Sequence, residues 1–334
     1  MTFPRRAILP AILVAALALV PILAPFLQVV LIFALMKGIA VLGVTVLLRA
    51  GQVSFGHALF FGIAAYAGAF LAASPFDDLV LLVLAGLVAS AVTGLVVGLF
   101  VARYRGIFFA MLNLAFSMIF WSILEKFYYL TGGADGLRQP RPTVLGMAFE
   151  RGPFEDILYY VALGLALLLG WFVIRFLGSP IGQLFQTVKT NETRLEYLGI
   201  SPRVALIKGY VLSAALCGVG GVLMATAQGI VTPSYAYWVR SGEMVFIAVL
   251  GGAGSVAGAF AGSIAYELVR TYAAAFAGDI WQLLLGAFLL VIILFAPGGL
   301  VGIYNSLFDR ARRGTSGSGK RETGVPAKSA EVRS

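Results

Sequence analysis

The chain has 334 residues, 60% hydrophobic and 12% charged, with a formal net charge of +9. Soluble domains carry about 25% charged residues, so this composition points to a chain surrounded by lipid. A single cysteine and a single histidine argue against a disulfide framework, a zinc or haem centre and a histidine-based triad.

Apolar runs of about 20 residues, enough to cross ~30 Å of hydrocarbon, recur along the chain. They lie at about 7–27, 28–48, 52–73, 79–102, 106–130, 157–177, 204–228, 238–252, 255–276 and 279–297. The expected fold class is therefore all-α, a polytopic integral membrane protein with about ten transmembrane helices. The first run follows Arg5 and Arg6 and has no small-residue cleavage site, so it reads as a span rather than a signal peptide. The first two runs are poorly separated, near Pro21 and Pro25, and the eighth is short.

Basic residues orient the spans, because cytoplasmic loops collect Lys and Arg. Arg5, Arg6, Arg49, Arg103, Arg105, Lys189, Arg194, Arg203 and Lys208 mark one side, and the tail after Asp309 joins them. The acidic turn at Ser74–Asp78 and the mixed loop from Thr131 to Asp156 take the other side. Ten crossings satisfy all of these and place both termini in the cytoplasm. This charge distribution also accounts for the net +9 without nucleic acid as a partner.

Residues 1–307 read as one transmembrane domain and 308–334 as a basic, disordered cytoplasmic tail able to meet anionic membrane lipid. Within the tail, "GTSGSGKR" approaches a phosphate-binding loop. Arg321 stands where the magnesium-holding hydroxyl belongs, and no strand precedes the stretch, so it is rejected as a nucleotide site.

The cytoplasmic segment Gly178–Pro202 is too polar to cross. Ser179 can cap a helix, Pro180 suits its first position, and Gly199 can stop it. Leu184, Val188, Leu195 and Leu198 recur at helical spacing, which predicts one amphipathic helix over about 181–198. Such a helix either lies on lipid or docks into a groove of a soluble partner.

Small residues also recur. Ser54, Ala58, Gly62, Ala65 and Ala69 share one helix face, as do Gly254, Gly258 and Gly262. Close helix packing is the expected role, with a mobile backbone beside a pathway as the alternative. "GIAAY" at Gly62–Tyr66 and "GSIAY" at Gly262–Tyr266 form a faint internal echo.

Several stretches together resemble the permease family of branched-chain amino acid ABC importers, of the LivM type. They are "GQVSFGHALFFGIAAYAGAFL" from Gly51, "RGIFFAMLNLAFSMI" from Arg105, "LTGGADGL" from Leu130, "VKTNETRLEYLGI" from Val188, "VLGGAGSVAGAFAG" from Val249 and "APGGLVGI" from Ala296. The likeness runs to about residue 307, in the family's order. Two positions depart from it. Lys189, Thr190 and Asn191 stand before Glu192 where a basic–acidic pair is usual, and Asn113 stands where a small or hydroxyl residue is usual.

The resemblance implies a permease subunit in a bacterial inner membrane. It would import branched-chain or related hydrophobic amino acids by alternating access. Its partners would be a LivH-type permease subunit, two cytoplasmic ATPase subunits and a periplasmic substrate-binding protein. ATP would bind to the ATPases, so this chain would be neither an enzyme nor the holder of a cofactor or metal. The family's range also admits urea, amides, and aromatic or other carboxylates. An ion-coupled secondary transporter is a separate alternative, disfavoured by few carboxylates within the spans.

Candidate residues follow. Gln183, Val188, Glu192, Leu195, Leu198 and Gly199 would couple to the ATPase. Ser54, His57, Asn113, Thr131, Asp135 and Glu243 are candidates for the substrate pathway. Ala58, Gly62, Gly254, Gly258 and Gly262 would serve helix packing. His57 has no catalytic partner or co-ligand in the sequence, so a structural hydrogen bond is preferred for it over lining the pathway.

Overall fold

The computed structural model describes residues 4–296 and 298–303, and the tail with its glycine-rich stretch lies outside them. The described chain is almost wholly helical. In order come α1 (Pro4–Leu23), α2 (Pro25–Arg49), α3 (His57–Ala72), α4 (Leu79–Val101), α5 (Gly106–Lys126) and the single turn α6 (Tyr128–Thr131). Then follow α7 (Arg151–Gly178), α8 (Pro180–Thr190), α9 (Glu192–Tyr197), α10 (Pro202–Gln228), α11 (Trp238–Gly251), α12 (Val256–Ala277) and α13 (Trp281–Phe295). The join of the first two runs falls at Ala24, and Pro25 opens α2 because its missing N–H costs nothing at a first helical position.

Among the described residues, α2, α4, α5, α7 and α10 are each long and apolar enough to cross a membrane. The protein is thus an all-α, multi-pass membrane protein. α11 and α12 pass the same test only as a pair, bent by 114° at their break. α3 and the apolar parts of α1 and α13 are shorter.

α2 and α10 form the buried centre, and α4, α5 and α7 turn one face outward. The two central helices are antiparallel: Gly43 of α2 meets Ser213 of α10, and Met36 and Ala40 meet Gly220. The apolar outer faces of α4 and α7, with Val88, Val92 and Val96 on one and Leu168, Trp171 and Ile174 on the other, are exposed. They suit a lipid solvent, which removes the usual penalty for exposing apolar side chains.

One span expected to be continuous is broken. The third, read as 52–73, is helical only from His57. Its first part, Gly51–Gly56, is a non-helical strip with Gln52, Ser54 and Gly56 buried. Gly51 has φ +71, and Gly56 lies so close to Asn113 that a Cβ there would sit 2.5 Å from the Asn113 carbonyl oxygen. The eighth, read as 238–252, is the continuous helix α11, preceded by the segment Gly229–Tyr237, in which Pro233–Ala236 form a short 3-10 helix and Val231, Pro233, Tyr235 and Ala236 are buried.

The break before α3 and the segment before α11 belong to a repeat of element order. α2, a positive-φ glycine (Gly51), a partly buried strip, α3 and α4 follow one another; so do α10, a positive-φ glycine (Gly229), a partly buried segment with a 3-10 helix at Pro233–Ala236, α11 and α12. Each strip opens alike, Gly51-Gln52-Val53-Ser54 in one and Gly229-Ile230-Val231-Thr232 in the other. Since α2 and α10 run in opposite directions, the two units are inverted. On this order α3 corresponds to α11, so the echo of Gly62–Tyr66 with Gly262–Tyr266 does not mark equivalent helices.

One end of the bundle gathers the Thr131–Glu150 loop. Its strand β1 (Leu137–Arg138) pairs antiparallel with β2 (Ile230–Val231), and Leu79 N–H donates to Thr143 O at 2.8 Å. The other end gathers Arg49, Arg105, Lys189 and Glu192. The acidic turn and the basic turns therefore lie at opposite ends, as their charges predict.

Candidate functional site

Three polar groupings interrupt the apolar fold. The first is a charged cluster on α2, α11 and α12. Lys37 is the thirteenth of 25 residues in α2, and Glu267 the twelfth of 22 in α12, so both lie at mid-length. The Lys37 ammonium pairs with Glu243 and with Glu267, and lies 4.8 Å above the Tyr266 ring. Arg240 Nη1 reaches Glu243 Oε2 at 3.2 Å, and Arg270 Nη1 reaches Glu267 Oε1 at 3.5 Å. Isolated charges at this depth cost several kcal/mol each, and mutual pairing offsets that cost. Of these residues the sequence reading singled out only Glu243. Lys37 was legible as the lone charge inside the second apolar run, and Glu267 as the lone one within the ninth before Arg270.

The second grouping surrounds the start of α3. His57 is fully buried, with Nε2 2.7 Å from Ser213 Oγ. Ser213 donates its own hydrogen to Gly43 O at 2.6 Å, so it accepts from the imidazole and fixes the Nε2–H tautomer. His57 thus links α3 to α10 and, through Ser213, to α2. Ser54 precedes the helix rather than extending its small-residue face, and its hydroxyl accepts Gly56 N–H at 3.3 Å. Ala58 N–H donates to Ser241 Oγ of α11 at 2.8 Å, and a Cβ on Gly62 would lie 2.9 Å from that of Ala236. Asn113 is spent within the protein: its amide donates to Phe109 O at 2.7 Å and its oxygen accepts the Tyr210 hydroxyl. Ser54, His57 and Asn113 therefore come together inside the subunit, whereas Glu243 belongs to the charged cluster.

Thr131 and Asp135 lie at the loop end, away from both groupings. Thr131 is buried and its hydroxyl donates to Leu124 O at 2.6 Å, closing the turn after α5. Asp135 accepts from the Tyr128 hydroxyl at 2.9 Å, and its carboxylate raises the pKa of that phenol. Gly132, Gly133 and Gly136 all have positive φ, which makes this stretch a tight turn.

The third grouping is the polar segment at the basic end. Its expected single helix over 181–198 is two helices, α8 and α9, divided at Asn191. Asn191 leaves the helical region (φ −163°, ψ 99°) and accepts Arg194 N–H at 3.4 Å, so its short amide starts a new helix rather than continuing the old one. Ser179 caps α8 by accepting Gly182 N–H at 3.3 Å. Gly199, with φ +72, ends α9, and Ile200 N–H returns to Leu195 O at 2.9 Å.

Val188 and Leu195 are buried, Gln183 is exposed and Leu198 is 73% exposed. The apolar stripe therefore turns outward at Leu198, next to Tyr197, which is 87% exposed. Glu192 binds Arg105 at the start of α5 at 2.5 Å. A Cβ on Gly51 would lie 2.9 Å from Lys189 Cγ. The segment is thus joined to the strip before α3 and to the α4–α5 turn. In the sequence Arg105 marks a basic turn and opens a family-like stretch, and Lys189 belongs to a departure from the family's pattern, but neither is among the candidate site residues.

Gly258 and Gly262 lie on α12 against α11, and a Cβ on Gly258 would be 2.7 Å from Gly251 O. Gly254 lies in the break between the helices, with φ +84, beside the Arg49 side chain. Among the described residues no group of three or more His, Cys, Asp or Glu side chains could hold a metal ion.

Comparison with known proteins adds a family to this geometry. The family described as "branched-chain amino acid transport system / permease component" matches residues 26–294. The high-affinity branched-chain amino acid transport system permease protein LivM of Escherichia coli (strain K12) is 30% identical over 279 residues, 75% of this chain and 64% of that protein. The permease protein LivH of the same strain is 24% identical over 273 residues, 75% of this chain and 86% of LivH. A probable LivM protein of Methanocaldococcus jannaschii is 24% identical over 250 residues, 69% of this chain and 71% of that protein. This chain thus spans less than two thirds of the length of the Escherichia coli LivM protein it matches. No solved structure matches it significantly. With its family region covering α2 through most of α13, the chain belongs to the branched-chain amino acid transport permease family.

Proposed function

We propose that this chain is a permease subunit of an ATP-binding-cassette importer, moving branched-chain or related hydrophobic amino acids into the cytoplasm. Its place is the bacterial inner membrane, with the basic end and both termini on the cytoplasmic side. Its partners are a LivH-type permease subunit, two cytoplasmic ATPase subunits that bind the ATP, and a periplasmic substrate-binding protein. The chain itself carries no cofactor and performs no covalent chemistry. It contributes two packings of unequal stability, which the ATPases interconvert.

The observation that carries this reading is the α8–α9 segment. It projects Tyr197 and Leu198 outward at the basic end, while Glu192 holds Arg105 at the base of α5. A partner that grips the exposed corner can therefore move the ends of several helices at once.

The test is co-expression with the neighbouring ATPase and permease genes, purification through a tag on this chain, and amino acid uptake in proteoliposomes. The expected result is co-purification of the ATPases, lost on deletion of 183–198 and in Gly199→Pro. Unchanged assembly and uptake in those variants would overturn the docking role. Binding assays on the neighbouring periplasmic protein separate amino acids from urea, amides and aromatic or other carboxylates.

The mid-length Lys37–Glu243–Glu267 cluster favours a second reading, an ion-coupled secondary transporter. Uptake that needs no ATPase and collapses with a protonophore would select it.

A further inference from the structure

We propose that the hairpin at residues 144–147 is a membrane anchor, with the side chain of Leu145 at its tip seated in lipid beside the start of α4.

Leu145 has φ +51, the one positive value outside glycine among the described residues. Gly146 follows at φ +76, so the two make a tight hairpin turn. Val144 N–H donates to Met147 O at 2.9 Å, and Met147 N–H donates back to Val144 O at 3.1 Å. Turns of this hand favour Asn-Gly, because a leucine side chain crowds its own backbone there. Leu145 recovers nothing inside the subunit. It is 76% exposed, and a Cβ added at Gly146 would find nothing within 4 Å. Backbone strain and an exposed apolar side chain each cost stability, so whatever offsets them lies outside the chain.

The surroundings point to lipid. The hairpin is braced on the first turn of α4: Leu79 N–H donates to Thr143 O at 2.8 Å, and Thr143 N–H to Asp77 O at 3.0 Å. Gly146 N–H donates to Asp78 Oδ2 at 3.2 Å, while Asp78 Oδ1 caps α4 by accepting Val80 N–H at 2.9 Å. Asp77 Oδ1 accepts the Thr143 hydroxyl at 3.3 Å. Both carboxylates are thus engaged in the brace. From this turn onward α4 exposes Val80, Leu81 and Leu84, continuous with the apolar outer face that continues to Val96. Met147 and Phe76, on the two turns that the brace joins, are exposed as well. The tip therefore extends a lipid-facing surface at the level where α4 leaves the hydrocarbon, the depth at which apolar side chains insert among headgroups.

The test attaches a fluorophore to Leu145→Cys in the full-length protein, with its co-purifying subunits, in proteoliposomes. Cys217 is buried, and the unsubstituted protein controls for its labelling. Brominated acyl chains quench from the bilayer, and iodide on both sides of the vesicle quenches from water. The expected result is quenching by brominated lipid and protection from iodide. Burial of a leucine side chain favours the seated tip by about tenfold or more. A label at Met147→Cys should therefore lose most of its quenching by brominated lipid when Leu145→Asn is added. The thermal midpoint should hold or rise, since Asn suits the turn.

Quenching by iodide at Leu145→Cys overturns the anchor. So does protection from both quenchers, whether present at once or only after a soluble substrate-binding protein is added, which would assign the tip to a protein contact. Equal quenching at Met147→Cys with Leu145 and with Leu145→Asn overturns it too. If Leu145→Cys does not fold, Met147→Cys with Leu145 intact carries the same readout.

Discussion

Lys37 and Glu243, separated by 206 positions in the chain, form an ion pair that ties the central helix α2 to the short helix α11. Removing the ammonium leaves Glu243 and Glu267 competing for Arg240 and Arg270. Lys37→Met is expected to cost about 3–5 kcal/mol, the usual penalty for stranding a buried charge. The measurement is folded yield and thermal midpoint in detergent. Adding Glu267→Gln removes one stranded carboxylate while Glu243 keeps Arg240, so the double variant regains part of the loss. Additive losses would show that the three groups do not act as a unit.

His57 joins three helices through Ser213, and the prediction follows from that geometry. His57→Ala removes the donor to Ser213 and is expected to cost about 1–3 kcal/mol. Ser213→Ala should cost a similar amount, and the pair less than their sum. Substrate preference should stay unchanged, because the imidazole is fully buried between helices. Normal thermal stability with altered preference would move His57 to the pathway.

Much of this was legible in the sequence because lipid imposes a simple rule. Apolar runs near 20 residues, ended by basic or acidic turns, mark helices whatever their neighbours are. That logic placed α4, α5, α7 and α10 within a few residues. It failed at Gly51–Gly56, where the chain leaves the helix inside a run read as a span, whereas the gap at Gly229–Tyr237 lies between the runs 204–228 and 238–252 as read. Hydropathy reports the solvent, not the backbone conformation. The split at Asn191 was missed because Val188 and Leu195 keep helical spacing across the break. The charged cluster was missed because Lys37, Glu243 and Glu267 meet only when α11 folds back along α12. The tight turn at Gly132–Gly136 was readable from its glycines alone.

The Arg105–Glu192 pair separates coupling from stability. Both side chains are about a third exposed, so the pair contributes only about 0.2–1 kcal/mol. Glu192→Gln should leave the thermal midpoint almost unmoved. Its effect should appear as ATP hydrolysis less well matched to uptake, since the pair joins α9 to the start of α5. Exchanging the charges, Arg105→Glu with Glu192→Arg, should restore the ratio. A ratio unchanged in Glu192→Gln would assign the pair no part in coupling.

The contact of α11 with α12 depends on the absence of side chains, which can be tested by adding one methyl group. In Gly258→Ala the new Cβ would stand 2.7 Å from Gly251 O, closer than van der Waals contact permits. Because the obstacle is backbone, the helices must move apart, and a loss of about 1–3 kcal/mol is expected from such overpacking. Gly164 on α7 provides the control, because nothing lies within 4 Å of the corresponding position. Gly164→Ala should be neutral or stabilise by about 0.5–1 kcal/mol, the ordinary helix preference for alanine. The thermal midpoints of the two variants, measured side by side in detergent, should therefore shift in opposite directions or by clearly unequal amounts. Equal shifts would mean that the close approach of α11 and α12 does not constrain the fold.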